Sequence, residues 1–378
     1  MSAFRTLIGQ HEARASLAIW AIVPTVFLFF ALTLAVDPTA HLDRLRLGAT
    51  VLDAGATTPA GQVSIGPRLI EGLGGQLHAE VISYPTEADL RDAVLAHKVA
   101  GGILVPAGTT QAILGGQPAT LQIVRSDAND PFTNAFTTNL AAQIAANINA
   151  ALPVLAGGAT PQPPLVSVAT TNVAPTTDYR FATVPAALLL PLWMATVAFA
   201  ALLSRAGDRI RSTVGRSRTA LVELGTAVLG AGIAATVISL DIALFTWRSD
   251  LSVGGLFGLL WLGLTAIALV LLGTIRAVGL PLGVLLGIVA LFVQQPVSGA
   301  AFPSAFAPDV VRWAEPIAPL RYLVEGVRNL LIGGATTFEM AVALALVAGA
   351  GVALYLLGLL RLAFVPGRSH GPMSAQPV

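Results

Sequence analysis

The sequence predicts an α-helical polytopic membrane protein with six transmembrane helices and an extracytoplasmic α/β domain inserted between the first and second spans. Hydrophobic residues make up 55% of the chain, charged residues make up 11%, and the mean hydropathy is +0.76, unlike a soluble globular protein. Six apolar runs of 17 to 24 residues have about the length that crosses a bilayer as a helix. A stretch of mixed polarity, residues 37–180, separates the first run from the other five.

A short polar stretch, residues 205–218, fixes the predicted orientation. It carries five arginines between two apolar runs: Arg205, Arg209, Arg211, Arg216 and Arg218. Short arginine-rich loops stay on the cytoplasmic side during insertion, so six crossings place both termini in the cytoplasm and residues 37–180 outside. Ten basic residues then lie in cytoplasmic segments and four in the two later external loops, which agrees with this orientation.

The first predicted span, residues 17–36, has 20 residues without a charge. A secretory signal peptide is the alternative, but its apolar region is usually about 7 to 15 residues long. This run is longer and ends at Asp37-Pro38, which favours a retained span. The preceding residues 1–16 fit either an amphipathic helix on the cytoplasmic membrane surface or a plain polar leader.

The other spans form a predicted five-helix transmembrane domain within residues 181–364, before a cytoplasmic tail at residues 365–378. The spans are residues 181–203, 224–247, 252–275, 277–293 and 340–360. The run at residues 277–293 is short and has Pro281 near its start, so half of a re-entrant hairpin remains an alternative. Glycines among alanines in two spans predict close packing, within the monomer or across a dimer: Gly225, Gly230, Gly232, Gly349 and Gly351.

Residues 37–180 contain 11 acidic and 7 basic residues and predict one aqueous domain of 144 residues. Thr86 and Asp89 predict a capped helix start, and a second helix should begin after Pro131. That helix carries an apolar stripe at four-residue spacing: Phe132, Phe136, Leu140, Ile144 and Ile148. Helical runs alternate with strand-like runs at residues 45–52, 77–84, 99–105, 120–124 and 165–168, which predicts an α/β order.

The predicted external segment, residues 294–339, is broken into short pieces by five prolines. After Pro319, apolar residues recur at helical spacing, with polar residues, Arg328 and Asn329 among them, on the other side. Ion pairs of Glu325 with Arg321 and with Arg328 are feasible at this spacing. We predict that this helix gates the outer mouth, or that it only caps the bundle, through Arg321, Tyr322, Glu325 and Arg328.

Asp241 is the acid inside the predicted third span, about two turns from its outer end. An ionised acid in lipid costs several kcal/mol, so Asp241 should face the bundle interior or water and have a partner. The candidate partners are Arg248, Arg321 and Arg328. Asp241 would serve either in a proton relay or in a salt bridge at the outer interface, and the sequence does not decide between these two roles.

Composition argues against several functions. A net charge of +1, with no basic cluster apart from residues 205–218, argues against a nucleic-acid partner. Cysteine is absent and the five histidines lie far apart, so no metal site or cofactor is expected in this chain. Lys98, the single lysine, follows no glycine-rich loop, so the chain is not a P-loop ATPase. No catalytic constellation stands out, and we expect no enzyme activity.

The order of four loose motifs carries a family resemblance over nearly the whole chain. They are Thr50-Val51-Leu52-Asp53, the apolar strand and proline at residues 99–106, Val124-Arg125-Ser126-Asp127-Ala128-Asn129, and the proline-rich segment 296–303 with residues 313–328, which end in P-x-x-Y-x-x-x-x-x-R. This order resembles the ABC transporter type-2 permeases, and in particular the phage infection protein (YhgE/Pip-like) branch.

The resemblance implies the permease subunit of an exporter in the bacterial inner membrane, which moves a hydrophobic, amphipathic or lipid-like substrate outward. It implies a homodimer or a pseudo-symmetric heterodimer that works with separate ATPase subunits. The family couples through a short cytoplasmic helix with an acid followed by Gly-Thr. Glu223-Leu224-Gly225-Thr226 matches this in part, but the acid that commonly follows Gly-Thr is missing. Glu223, Gly225 and Thr226, with the five arginines, form the predicted ATPase-coupling surface.

A second function stays open, because members of the phage infection protein type include accessory parts of secretion machines. The chain would then be a membrane-anchored scaffold, receptor or secretion accessory protein without transport of its own, and residues 37–180 would be its binding module. A proton-coupled carrier that depends on Asp241 is a third possibility.

Overall fold

The computed structural model describes residues 38–58, 61–77, 79–155, 165–176, 179–246, 251–334 and 336–364. The predicted leader, the first span at residues 17–36, the turn at residues 247–250 and the tail at residues 365–378 lie outside this set. The described residues form an α/β domain followed by a bundle of long apolar helices.

The α/β domain is built on a mixed five-stranded sheet of order β4-β1-β5-β6-β7. The strands are β1 (Arg46–Val51), β2 (Ala56–Thr58), β3 (Gly61–Val63), β4 (Glu80–Ser83), β5 (Gly101–Val105), β6 (Ala119–Arg125) and β7 (Val166–Asn172). β1 is parallel to β4 and β5, β6 is antiparallel to β5, and β7 is parallel to β6. β2 and β3 form a separate antiparallel pair. Each of the five strand-like runs overlaps a strand of the main sheet, although β6 and β7 extend beyond their predicted runs.

Four helices accompany the sheet: α1 (Ile65–Leu77), α2 (Glu87–Leu95), α3 (Thr109–Leu114) and α4 (Pro131–Leu155). The predicted cap of α2 is confirmed, because the Thr86 hydroxyl accepts a hydrogen bond of 3.1 Å from the backbone N–H of Asp89. The predicted stripe on α4 is confirmed as well. Leu140 and Ile144 are buried in the core under the sheet, and the other members pack against it.

Among the described residues, five helices are long and apolar enough to cross a membrane: α5 (Tyr179–Val214), α6 (Arg216–Thr246), α7 (Val253–Val278), α8 (Leu280–Val297) and α11 (Phe338–Phe364). Between α8 and α11 lie two shorter helices, α9 (Asp309–Arg312) and α10 (Pro319–Ile332). α7 is central, because it packs against the other four long helices and against α10.

Most of the short run at residues 277–293 lies in one helix, α8, which begins at Leu280, while Ala277 and Val278 still belong to α7. α8 has 18 residues, or about 27 Å at 1.5 Å per residue. Its start lies beside the last turns of α7 and α11, where Arg361 donates to the carbonyl of Ala277. At its other end the Gln294 side chain accepts from the N–H of Leu320, the second residue of α10. The helix therefore continues to Val297, four residues beyond the predicted end of the run.

Glycines bring α7 and α11 into backbone contact. A Cβ added to Gly351 would lie 2.7 Å from the backbone nitrogen of Val270, and one added to Gly273 would lie 2.7 Å from the carbonyl oxygen of Gly351. The prediction of close packing is confirmed at Gly351. At Gly225 and Gly349 an added Cβ meets no described atom within 4 Å, so the packing there is not within the described part of the monomer, and packing across a dimer stays a prediction.

Candidate functional site

The two ends of the bundle carry different chemistry. α5 ends and α6 begins at one of them, which we call the arginine end, and the α/β domain contacts the other, which we call the domain end. At the arginine end, Gly215 connects the two helices with a φ of 88°, which a glycine adopts without steric cost. Four of the five predicted arginines are exposed there: Arg205, Arg209, Arg216 and Arg218.

Arg211, the fifth, is half-buried and lies 3.0 Å from the carboxylate of Asp208, one turn before it on α5. This ion pair connects the exposed arginine surface to residues inside the bundle. Asp208 also accepts a hydrogen bond of 2.6 Å from Nη1 of Arg276, near the end of α7.

Arg276 is the centre of a group that we call the ion-pair cluster: Asp208, Glu223, Arg276 and Tyr355. Asp208 is exposed, and the other three are buried. Its Nε donates to Oε2 of Glu223 at 3.1 Å, and its Nη2 donates to the Ser204 carbonyl at 2.9 Å and also pairs with Oε1 of Glu223. Tyr355 donates to the same Oε2 at 2.5 Å. Glu223 is 1% exposed and Arg276 is 6% exposed.

The ion-pair cluster joins four helices, because Asp208 lies on α5, Glu223 on α6, Arg276 on α7 and Tyr355 on α11. A buried charge is stable only while its partners and hydrogen bonds remain in place. The cluster therefore fixes the relative position of these helices at the arginine end. Gly207 leaves the space that the Glu223 carboxylate occupies, since a Cβ added there would overlap it.

The predicted coupling motif is divided between two environments. Glu223 faces inward, whereas Gly225 and Thr226 lie on the exposed side of α6. A partner protein can reach these two residues, but it cannot touch the Glu223 carboxylate in this conformation. The sequence interpretation missed Tyr355 and treated Arg276 only as a topological marker. The available signal was a charged residue at the end of an otherwise uncharged helix.

At the domain end, the predicted ion pairs of Glu325 do not form. Arg321 instead lies 3.4 Å from Glu315, which a short 3-10 turn (Glu315–Ile317) places in front of α10. Tyr322 donates to the carbonyl of Pro316 at 2.6 Å. These contacts hold the start of α10 to the proline-rich segment.

Arg328 and Asn329, which the sequence places on the polar side of α10, are only 7% and 6% exposed. This side meets the segment after α8 through Arg328 and the α/β domain through Asn329, which single-helix periodicity does not reveal. Nη2 of Arg328 donates to the carbonyls of Gly299 at 2.8 Å and Ala300 at 3.4 Å, and the buried Nε has no partner among the residues that the structure describes. Burial lowers the pKa of Arg328 from its ordinary value, although the charges of Asp130 and Glu325 oppose the shift.

A histidine bridges the α/β domain to α10. The ring of His97 lies 3.1 Å through Nδ1 from the Asn129 side-chain oxygen, and 3.2 Å through Nε2 from that of Asn329. Asn129 is itself fixed by a hydrogen bond of 2.7 Å from its amide to the carbonyl of Ala100. His97 therefore joins three elements that are distant in sequence.

A cavity of about 590 Å³ opens between the α/β domain, α10 and the segment after α8. Arg321, Glu325 and Arg328 of the predicted gate line it, together with His97 and Asp130 of the domain. The structure therefore brings Arg321, Glu325 and Arg328 into one site without Tyr322, whereas the arginines at residues 205–218 belong to the opposite end.

Asp241 is exposed on α6, so of the two predicted environments, the bundle interior and water, the structure excludes the bundle interior. α5 and α7 cover only one side of α6, and Asp241 lies on the other. Of its candidate partners, Arg321 pairs with Glu315, Arg328 bonds backbone carbonyls, and Arg248 lies outside the described residues. No salt bridge joins Asp241 to the part of the chain that the structure describes.

The family comparison agrees with this architecture. The model of the ABC-2 family transporter proteins matches residues 14–360, which include the predicted first span, the sheet domain and all but the last residues of α11. No curated protein and no solved structure matches the chain. Because the family match covers most of the chain, this protein is a multi-pass membrane protein that belongs to the ABC-2 family of transporter permeases.

Proposed function

We propose that the chain is the permease subunit of an ABC-type exporter, which works as a dimer with separate ATPase subunits and binds no cofactor itself. It would move an amphipathic or lipid-like molecule outward across the bacterial inner membrane. Membership of the ABC-2 family supports a membrane component with an ATPase partner in general. The finer resemblance to the YhgE/Pip-like branch rests on the order of the four sequence motifs.

The observation that carries the proposal is that an exposed basic surface lies next to the ion-pair cluster at the arginine end. Arg205, Arg209, Arg216 and Arg218 offer cations to an acidic partner surface. Through Arg211 and Asp208 this surface connects to Arg276. A partner that moves the α5–α6 junction would thereby displace α7 and α11, since the ion-pair cluster joins all four helices.

The orientation in this proposal follows the distribution of positive charge. The arginine end would face the cytoplasm, where an ATPase has access to ATP, and the α/β domain would face outward. The exposed apolar side of α6, which includes Leu229, Ile233 and Val237, is available to lipid or to the second subunit of the dimer.

Co-purification tests the proposal. The tagged full chain, extracted from its own host in a mild detergent, should bring down a nucleotide-binding ATPase subunit. The double variant Arg216→Ala/Arg218→Ala should recover at least about fivefold less of it, since each exposed ion pair adds up to about 1 kcal/mol. Glu223→Gln should still recover the ATPase, because that side chain is buried.

Arg91→Ala is the matched control, because Arg91 is a surface arginine on α2, in the α/β domain and far from the arginine end, where it pairs with Glu87. It should recover as much ATPase as the unaltered chain. Consistent absence of any ATPase from the unaltered chain would contradict the exporter and favour the scaffold or accessory protein. Equal recovery with Arg216→Ala/Arg218→Ala would contradict the contact surface.

A further inference from the structure

The cavity at the domain end has walls of mixed charge, and most of those charges are already paired. Arg46 lies 3.0 Å from Glu80, and Arg321 lies 3.4 Å from Glu315. Arg44 and Arg312 both pair with Asp309, just outside the cavity. The lining charges that make no ion pair with any described residue are Lys98, Arg328, Asp130 and Glu325.

Of the two unpaired cations, Arg328 is the one whose surroundings leave its charge without a counterion. Its side chain is more than nine-tenths buried, its Nε has no partner among the described residues, and its Nη2 is held by two backbone carbonyls. A carbonyl oxygen carries only a partial negative charge, so it does not neutralise the guanidinium, which can still bind an anion. A planar guanidinium binds phosphate or carboxylate oxygens well. Lys98, exposed on the domain side of the same cavity, supplies a second cation.

Of the two unpaired acids, Asp130 already accepts hydrogen bonds from the first turn of α4, the helix that it precedes. Its oxygens accept hydrogen bonds from the Thr133 N–H at 2.9 Å and from the Thr133 hydroxyl at 2.6 Å. Glu325 makes no hydrogen bond with the described residues and is half-buried on the cavity side of α10. It is therefore the acid that remains for a cationic group of a ligand.

Free cations and a free carboxylate in one cavity match a ligand that carries both signs of charge. The volume of about 590 Å³ lies within the roughly 300–1,000 Å³ of small-molecule sites. The opposite side of α10, with Leu320, Leu323 and Val327, packs between α5 and α7, so polar and apolar environments meet along one helix. That apolar side is closely packed, so the cavity itself receives the charged part of the ligand.

We infer that the cavity binds a phosphate ester that carries a primary amine, with the phosphate on Arg328 and Lys98 and the amine on Glu325. This rests on the proposed exporter and deepens it, because it gives the polar part of the cargo a chemical class. A zwitterionic phospholipid headgroup and a free phosphoamine share this chemistry.

Calorimetric titration of the purified full chain in detergent tests the inference. The probes are dihexanoyl phosphatidylethanolamine, dihexanoyl phosphatidylglycerol, O-phosphoethanolamine and inorganic phosphate. We expect an amine-bearing probe to bind about tenfold tighter than phosphatidylglycerol, because one charge-assisted contact to Glu325 is gained. If the ligand is a lipid, the dihexanoyl probe binds tighter than O-phosphoethanolamine, and if it is a free phosphoamine, the two bind equally.

Two variants assign the contacts without altering the buried arginine. Glu325→Gln should bring the affinities for the ethanolamine and glycerol lipids to within about twofold, and Lys98→Ala should weaken both by about tenfold. Arg328→Gln should abolish binding, but it also removes hydrogen bonds within the fold, so the other two variants decide. Arg91→Ala, on the same domain and outside the cavity, should bind like the unaltered chain.

The inference is overturned if no amine-bearing phosphate ester binds saturably, if the ethanolamine and glycerol lipids bind equally, or if Glu325→Gln and Lys98→Ala change nothing. The titration uses the permease alone, so its failure leaves the ATPase result intact. A failed co-purification likewise leaves the binding result intact.

Discussion

Asp130 combines a local structural role with a long-range electrostatic one. It precedes α4 and accepts two hydrogen bonds from Thr133, which satisfy a free N–H of the first turn. It also lies near Arg328 of α10, far away in sequence. Burial raises the pKa of Asp130 above its ordinary value of 3.8, and the Thr133 hydrogen bonds and the charge of Arg328 oppose this shift only in part.

The raised pKa of Asp130 predicts a pH dependence of stability. The folded state holds the proton more tightly than the unfolded chain, so stability due to this group is fully present below the unfolded pKa of about 4 and is lost as pH rises through the folded pKa. Asn at this position caps a helix without titrating. The thermal midpoint of the unaltered chain minus that of Asp130→Asn should therefore fall as pH increases from about 3.5 to 7. A flat or rising difference would contradict the shift.

The sequence located Arg276 within its helix but did not identify its partners, Tyr355 among them. The position of Arg276 at the end of an uncharged run was visible in the sequence, and it indicated the end of a span. Its partners were not visible, because Asp208, Glu223 and Tyr355 come from three other helices. A buried arginine must have such partners, yet only packing decides which acids supply them.

At the scale of elements, α10 has two buried sides. Its apolar periodicity predicted the helix and the side that packs on the spans, and the structure confirms both. The opposite side is buried too, because Arg328 bonds carbonyls of the segment after α8 and Asn329 contacts His97 of the α/β domain. Periodicity separates polar from apolar sides, but it does not tell whether a polar side meets water or another domain.

The contact between α7 and α11 gives a prediction at the same scale. Gly351→Ala should destabilise the protein by about 1–3 kcal/mol, because the added methyl group would overlap the backbone of α7. Gly349→Ala, two residues earlier on α11, is the control. It should be neutral or stabilise by up to about 1 kcal/mol, because alanine has the better helix propensity and no described atom is near. Thermal unfolding in detergent measures both, and equal midpoints would contradict the close approach.

At the scale of the whole molecule, the α/β domain and the arginines lie at opposite ends of the bundle. α5, α6, α7 and α8 alternate in direction, so Asp208, Glu223 and Arg276 meet at one end, while Gln294 meets α10 at the other. The charge bias predicts that the arginine end faces the cytoplasm.

Single-cysteine labelling tests this orientation, and the chain suits it because it contains no cysteine. Gln117→Cys places a thiol on the exposed surface of the α/β domain, and Ser217→Cys places one at the exposed start of α6. A membrane-impermeant maleimide should label the first in intact cells with the outer membrane opened, and the second only after lysis. The reverse pattern would overturn both the orientation and the cytoplasmic site for an ATPase.

The sequence by itself determined the membrane class, the five described spans, the strands of the sheet and the start of α2, because these depend on local composition, periodicity and capping. It determined the arginine-rich junction for the same reason. Only the tertiary structure decided that Glu223 and Arg328 are buried, that Arg321 pairs with Glu315, that Asp241 lies on the outside of α6, and that the polar side of α10 closes a charged cavity. Each of these depends on which distant elements pack together, and a one-dimensional pattern carries no information about that choice.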